Sequence, residues 1–152
     1  MFERLISKEL KKWSSRQDRK PLILRGARQV GKTTLVQQFA KEFNLFINLN
    51  LEKNEHRLLF EKNYSINELV SAIFYLEGKP RNLKKTLLFI DEIQNSPEAI
   101  SSLRYFYEEI PELYVIAAGS LLETLLSRGI SFPVGRVEYL AIRPCAFVEF
   151  LA

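Results

Sequence analysis

The sequence predicts an α/β fold in which a parallel sheet carries helices on both faces, and three observations predict it. Residues 26–33 read Gly26-Ala27-Arg28-Gln29-Val30-Gly31-Lys32-Thr33, the spacing G-x-x-x-x-G-K-[ST], between a short apolar run and an amphipathic stretch. A second apolar run, residues 86–90, ends in the paired carboxylates Asp91 and Glu92. Short continuous apolar runs, the pattern of strands buried on both faces, alternate with segments of helical period along the chain.

The elements follow in order. Phe2, Leu5, Ile6, Leu10 and Trp13 form one apolar stripe at helical spacing, so the chain opens with an amphipathic helix. Residues 14–20 form a polar, basic linker, so residues 1–20 stand as helix and linker before a core of residues 21–152. Residues 21–25 are the first strand. After the glycine loop, Leu35, Val36, Phe39, Ala40 and Phe43 recur at helical spacing. Residues 46–51 read as a second strand and residues 52–64 as a charged segment, irregular or helical. Ser65-Ile66-Asn67-Glu68 has the spacing of a capping box and launches a helix through Leu76, which Gly78 is placed to end. A basic loop, residues 78–85, leads to the third strand. Ser96-Pro97-Glu98 supplies an N-cap, a proline at the first helical position and an acidic first turn. That helix runs to about Glu109, and Pro111 stops it. Residues 114–118 form a fourth strand, followed by Gly119-Ser120, a short helix ending near Gly129, a loop over residues 131–135 and a last strand over residues 137–142.

Composition bounds the class. A chain of 152 residues, 47% hydrophobic and 26% charged, has room for one ordinary globular domain with an adequate core. The net charge of +4 offers a surface to nucleic acid, although a solvated face explains it as well. A single cysteine, Cys145, excludes an internal disulfide and fits a reducing cytoplasm. No apolar run approaches membrane-spanning length.

The glycine loop has a direct chemical reading. The phosphates of a nucleoside triphosphate are densely anionic, and a glycine-rich loop can point its backbone N–H groups inward around them. Lys32 then reaches the β- and γ-phosphates, the Thr33 hydroxyl coordinates Mg²⁺, and the helix starting near Lys32 aims its positive end at the same anion. Asp91, carried to the sheet edge by an apolar strand, fits a second holder of Mg²⁺, usually through a water. Glu92 directly after it can polarise a water for in-line attack on the γ-phosphate, which favours hydrolysis over transfer to a small molecule.

Two further positions keep two readings each. Ser120 either contacts the γ-phosphate or the attacking water, or caps the following helix. Arg136 either stabilises transition-state charge, in its own site or a neighbour's, or is a surface arginine at a strand start. Asn48 and Asn50 share one face of the second strand, and one of them could hold Glu92 idle. His56 reads as a surface residue rather than a metal ligand, and Cys145 as packing.

With both motifs in place, the chain resembles the N-terminal ATPase domain of a group of bacterial and archaeal AAA-type P-loop ATPases. The resemblance rests on Leu24-Arg25 with the loop through Thr34-Leu35, on Phe89-Ile90-Asp91-Glu92-Ile93-Gln94, on Ala118-Gly119-Ser120, and on Phe132-Pro133-Val134-Gly135-Arg136 with Pro144-Cys145-Ala146-Phe147 beyond it. It covers nearly the whole chain. It implies a P-loop NTPase three-layer α-β-α sandwich of ASCE type with strand order 5-1-4-3-2. It also implies ATP and Mg²⁺ as ligands, nucleotide contacts over residues 26–34 including Thr34, and a helical segment and C-terminal domain after the core. The chain is therefore expected to stop short of a lid and of that domain, to turn over weakly alone, and to form any homo-oligomer only in its longer form.

Competing functions differ in sequence demands. A small-molecule kinase is disfavoured by Glu92. A GTP-dependent switch requires D-x-x-G and N-K-x-D, whereas residues 91–94 are Asp-Glu-Ile-Gln and no N-K-x-D occurs. A transporter-type ATPase is disfavoured by the absence of an L-S-G-G-Q-like stretch. A nucleotide-dependent binding module with little turnover, acting on DNA, stays open beside the leading reading, an ATPase that couples hydrolysis to a partner or attached domain.

Overall fold

In a computed structural model of the chain, the described residues are 2–25, 32–119, 133 and 135–141, with the side chains of residues 2–5 excepted. Helix α1 (Phe2–Ser15) leads to β1 (Leu22–Arg25), α2 (Lys32–Phe39), β2 (Leu45–Asn50), α3 (Asn54–Glu61), α4 (Ile66–Leu76), β3 (Thr86–Asp91), α5 (Pro97–Glu109), β4 (Tyr114–Ala118) and β5 (Glu138–Ala141). The five strands form one sheet in the order β2-β3-β4-β1-β5. Every pairing is parallel. This is the order the family resemblance implies, read from the other edge. The short helix expected between β4 and β5, most of the loop after it, and the chain after Ala141 lie outside the described residues.

The strands alternate their side chains between two cores. Leu22, Leu24, Leu87, Phe89, Ile116 and Ala118 face α1 and α2, packing with Leu10, Trp13 and Val36. Ile23, Ile47, Leu49, Leu88, Ile90 and Val115 face α3, α4 and α5. Central strands buried on both faces cannot afford a polar residue on either, and Leu87-Leu88-Phe89-Ile90 is accordingly an unbroken apolar run with each residue at most 1% exposed. Each such side chain contributes about 1.5–3 kcal/mol by leaving water.

Local signals set the helix ends. Ser65 Oγ accepts from the Glu68 amide at 3.2 Å while Glu68 Oε1 accepts from the Ser65 amide at 2.9 Å, the reciprocal pair expected from the sequence. At the other end of α4, Gly78 adopts φ +68°, which lets the amides of Gly78 and Lys79 reach the carbonyls of Tyr75 and Phe74, each at 3.0 Å. Ser96 caps α5 by accepting from the Ala99 amide at 3.1 Å.

Two segments hold contacts that the sequence does not reveal. Residues 14–20 are less a loose linker than a stapled corner. The Trp13 indole donates to the Lys20 carbonyl at 2.6 Å, and the Arg19 guanidinium lies 3.5 Å over the Tyr114 ring and donates to the carbonyls of Pro111 and Glu112. The charged segment after β2 forms α3, and His56 on it is buried, not on the surface. Its Nδ1 accepts from the Asn50 amide at 2.9 Å, satisfying a donor at the end of β2 that the strand itself leaves over.

Candidate functional site

The strand order brings the ends of β1, β3 and β4 together. Leu24 pairs with Ala118 and Ile90 with Ala117, so Arg25, Asp91 and Gly119 end three neighbouring strands at the same edge of the sheet. The glycine loop, residues 26–31, lies outside the described residues, but both of its flanks are described: β1 delivers the chain to it and α2 takes the chain away at Lys32. Lys32 and Thr33 are half-buried in the first turn of α2, and Thr34 is exposed.

Side chains from α2 reach across to the strand ends. Thr33 Oγ1 donates to Asp91 Oδ2 at 3.2 Å, and Lys32 Nζ donates to the Gly119 carbonyl at 3.0 Å. Ser120, the next residue, lies outside the described residues. Asp91 Oδ1 accepts from the Glu92 amide at 2.9 Å. These contacts draw together Lys32, Thr33, Asp91 and Glu92, which the sequence separates by about sixty residues.

Burial governs the electrostatics. It pushes the Asp91 carboxyl above the ordinary range, and the neighbouring Glu92 charge adds to the rise; the Glu92 amide, the Thr33 hydroxyl and the Lys32 charge oppose it without cancelling it. Burial likewise lowers the Lys32 ammonium, against the pull of Asp91 and Glu92. Charge is thus held at this edge at a cost. The adjacent hydroxyl and carboxylate oxygens of Thr33 and Asp91 are hard donors of the kind Mg²⁺ takes when phosphates and waters supply its other ligands, and the half-buried carboxylate gains from a cation beside it. Among the described residues no group of three or more His, Cys, Asp or Glu side chains could hold a metal ion.

Glu92 is the strained residue of the site. It adopts φ 56°, ψ 45°, a left-handed backbone that a residue with a Cβ rarely takes. The turn after it is 3₁₀ over Ile93–Asn95, anchored by the buried Ile93 side chain and by the bonds Asn95 N to Glu92 O and Ser96 N to Ile93 O, both 3.1 Å. From this turn Gln94 Nε2 donates to Glu92 Oε2 at 2.7 Å. The partner expected from β2 does not fill that role. Asn48 and Asn50 do share a face, but among the described residues neither amide nitrogen donates to Glu92; Asn50 Oδ1 accepts from the Glu52 amide at 3.0 Å, and the Asn48 side-chain oxygen is buried without a hydrogen bond. Gln94 was visible in the sequence only as part of a family-like stretch; a donor two residues beyond a carboxylate has no spacing rule to reveal it.

Arg136 sits at the opposite end of the sheet. Glu138 pairs with Leu22, the first residue of β1, whereas the glycine loop follows Arg25, the last. At about 3.3 Å per residue, the strand alone sets the two ends roughly 10 Å apart. Arg136 Nε donates to Glu108 Oε2 at 3.1 Å, and Arg104 shares the same carboxylate. The Glu108 carboxyl is held below its ordinary range, first by that bond from Arg136.

Comparisons with known proteins agree with this architecture. The chain is similar to the solved structure of the Walker-type ATPase PABY2304 of Pyrococcus abyssi, with a TM-score of 0.57 and 18% identity over 95% of this chain and 55% of that one. It thus spans about half the length of that protein. A weaker likeness, TM-score 0.47 and 15% identity over 92% of this chain and 39% of the other, is to PCH-2 of C. elegans. No curated protein matches. No helix among the described residues is long and apolar enough to cross a membrane. A glycine loop flanked by β1 and α2, an acidic pair at the end of β3 and the order β2-β3-β4-β1-β5 are joined by a family model that matches residues 18–151: the chain belongs to the AAA domain family.

Proposed function

We propose that this domain binds Mg-ATP and hydrolyses it, and that the change in nucleotide state is passed to a partner or attached domain. The observation that carries the reading is the convergence of Lys32, Thr33, Asp91 and Glu92 at one sheet edge, with Thr33 already bonded to Asp91. Residues 26–34 would cradle the phosphates through backbone N–H groups. Lys32, which now rests on the Gly119 carbonyl, would turn to the β- and γ-phosphates. Thr33 and Asp91 would hold the magnesium ion, which when bound neutralises charge on the phosphate oxygens. Glu92 would accept a proton from water as the water oxygen attacks the γ-phosphorus and the bond to the β-phosphate oxygen breaks, giving ADP and inorganic phosphate. Glu92 precedes the turn that Ser96 joins to α5, so a change at the carboxylate has a short mechanical route to a helix on the far face of the sheet.

The test is phosphate release from ATP and GTP, with and without DNA, alongside nucleotide affinity. Glu92→Gln is expected to keep affinity and to lose about 10²- to 10⁴-fold in hydrolysis, because an amide cannot take the proton. Hydrolysis by the glutamine variant at the parent's rate would reduce Glu92 to an acidic turn residue and leave a nucleotide-dependent binding module as the better reading.

A further inference from the structure

Glu92 and Gln94 leave the same locked turn and are bonded side chain to side chain. Glu92 has a carboxylate on a left-handed backbone, so its side chain departs the strand in a direction no ordinary strand residue shares. Gln94 is half-buried, and its amide nitrogen is committed to Glu92 Oε2 at 2.7 Å. Only the nitrogen of that amide can face a carboxylate, so chemistry fixes which way the group is turned. Its oxygen, Oε1, is then buried with no hydrogen-bond partner among the described residues. A buried acceptor left unpaired is destabilising, because its lost hydration is not replaced. Its nitrogen, by contrast, holds a charged acceptor.

We propose that Gln94 is a positioning residue for hydrolysis: it grips one oxygen of Glu92 so that the other is presented to the water that attacks the γ-phosphate. This rests on the reading of Glu92 as the proton acceptor and names the residue that aims it. A glutamate carboxylate on three side-chain torsions can sample many orientations, and a charge-assisted bond from a residue on the same rigid turn narrows them. The turn supplies the rigidity: buried Ile93 pins it, and the bonds from Asn95 and Ser96 close its backbone. Because Gln94 contacts only the carboxylate in this scheme, nucleotide binding does not need it.

Gln94→Met keeps the length and volume of the side chain and removes the donor; Gln94→Glu keeps the shape and sets like charge against Glu92. The measurement is single-turnover ATP hydrolysis with protein in excess, together with ATP affinity and melting temperature, for the parent, Gln94→Met, Gln94→Glu, Glu92→Gln and the double variant Glu92→Gln/Gln94→Met. Expected are a loss of about 10- to 100-fold in rate for Gln94→Met, a larger one for Gln94→Glu, ATP affinity within about twofold of the parent for Gln94→Met, and a double variant no slower than Glu92→Gln alone. If Glu92→Gln is slow while Gln94→Met runs at the parent's rate, the role of Gln94 is overturned and that of Glu92 stands. If the two losses multiply in the double variant, or if affinity and melting temperature fall with the rate, Gln94 serves the fold and the positioning role is overturned. If Glu92→Gln itself hydrolyses normally, the reading of Glu92 fails and takes the role of Gln94 with it.

Discussion

The two ends of the sheet use the same residue types for opposite ends. At the carboxyl ends of β1, β3 and β4, Lys32, Thr33, Asp91 and Glu92 are half-buried around a short span of strand. At the amino ends, Arg16 and the Lys20 amide meet Glu138, and Arg104 and Arg136 meet Glu108, nearer solvent. Burial drives the Asp91 carboxyl up, whereas the bond from Arg136 drives the Glu108 carboxyl down. One end holds charge that its surroundings oppose; the other has its charges matched. Ligand binding can relieve the first kind of arrangement and has nothing to relieve in the second.

The sharpest way to break this contrast is to remove a cation from each end. Lys32→Ala should weaken Mg-ATP binding by about 10- to 100-fold, the worth of a hydrogen bond to a charged group, measured by calorimetric titration. An unchanged dissociation constant would remove the carboxyl end of the sheet as a phosphate site.

A second test concerns stability without ligand. Folded Asp91 binds its proton more tightly than the unfolded chain does, so between the ordinary carboxyl value and its raised folded value the native state holds more protons. The parent therefore loses stability as pH rises through that window. Asp91→Asn escapes this loss and should melt a few degrees higher than the parent at neutral pH, with the gap opening across the window and constant above it. Added Mg-ATP should reverse the order by stabilising the parent more. A variant that melts lower at neutral pH without ligand would mean that the Thr33 and Glu92 amide bonds outweigh burial.

The smallest effects belong to the amino end. Arg136→Ala should leave ATP affinity within about twofold and lower the melting temperature slightly, less so in high salt, since exposed pairs are screened. Glu108 has a depressed carboxyl, so whatever stability the pair gives is present above the ordinary carboxyl range and fades as pH falls through the lowered value. Turnover measured against protein concentration sharpens the point. A loss in Arg136→Ala that grows with concentration would assign the guanidinium to a neighbouring molecule's site; a loss already present in dilute protein would break the separation of the two ends.

What the sequence made legible was local or strictly spaced. The glycine loop, the apolar run into Asp91 and Glu92, the cap pair Ser65 and Glu68, and the Ser96-Pro97 start all depend on neighbours a few residues away. What it hid depends on packing. His56 reads as a surface residue until the end of β2 is known to need a partner for the Asn50 amide. Arg136 sits two residues before β5, and only the parallel pairing of β5 with β1 reveals that this is the end away from the loop. Asn48 and Asn50 were placed on one face by alternation, but alternation says nothing of how far Glu92 turns, and its left-handed backbone decides that.

The strand order also has a consequence for how the domain is born. β1 lies between β4 and β5, and Leu22 pairs with Ile116 and Glu138, roughly a hundred residues downstream. Strands β2 and β3 can pair with each other long before β1 has any neighbour at all. On a ribosome, the segment that leads into the glycine loop emerges early and must wait, unpaired, for most of the chain to follow. β1 is therefore among the last strands to be flanked on both sides, and a chain interrupted before β4 would carry the complete glycine-loop motif without either strand that β1 pairs with.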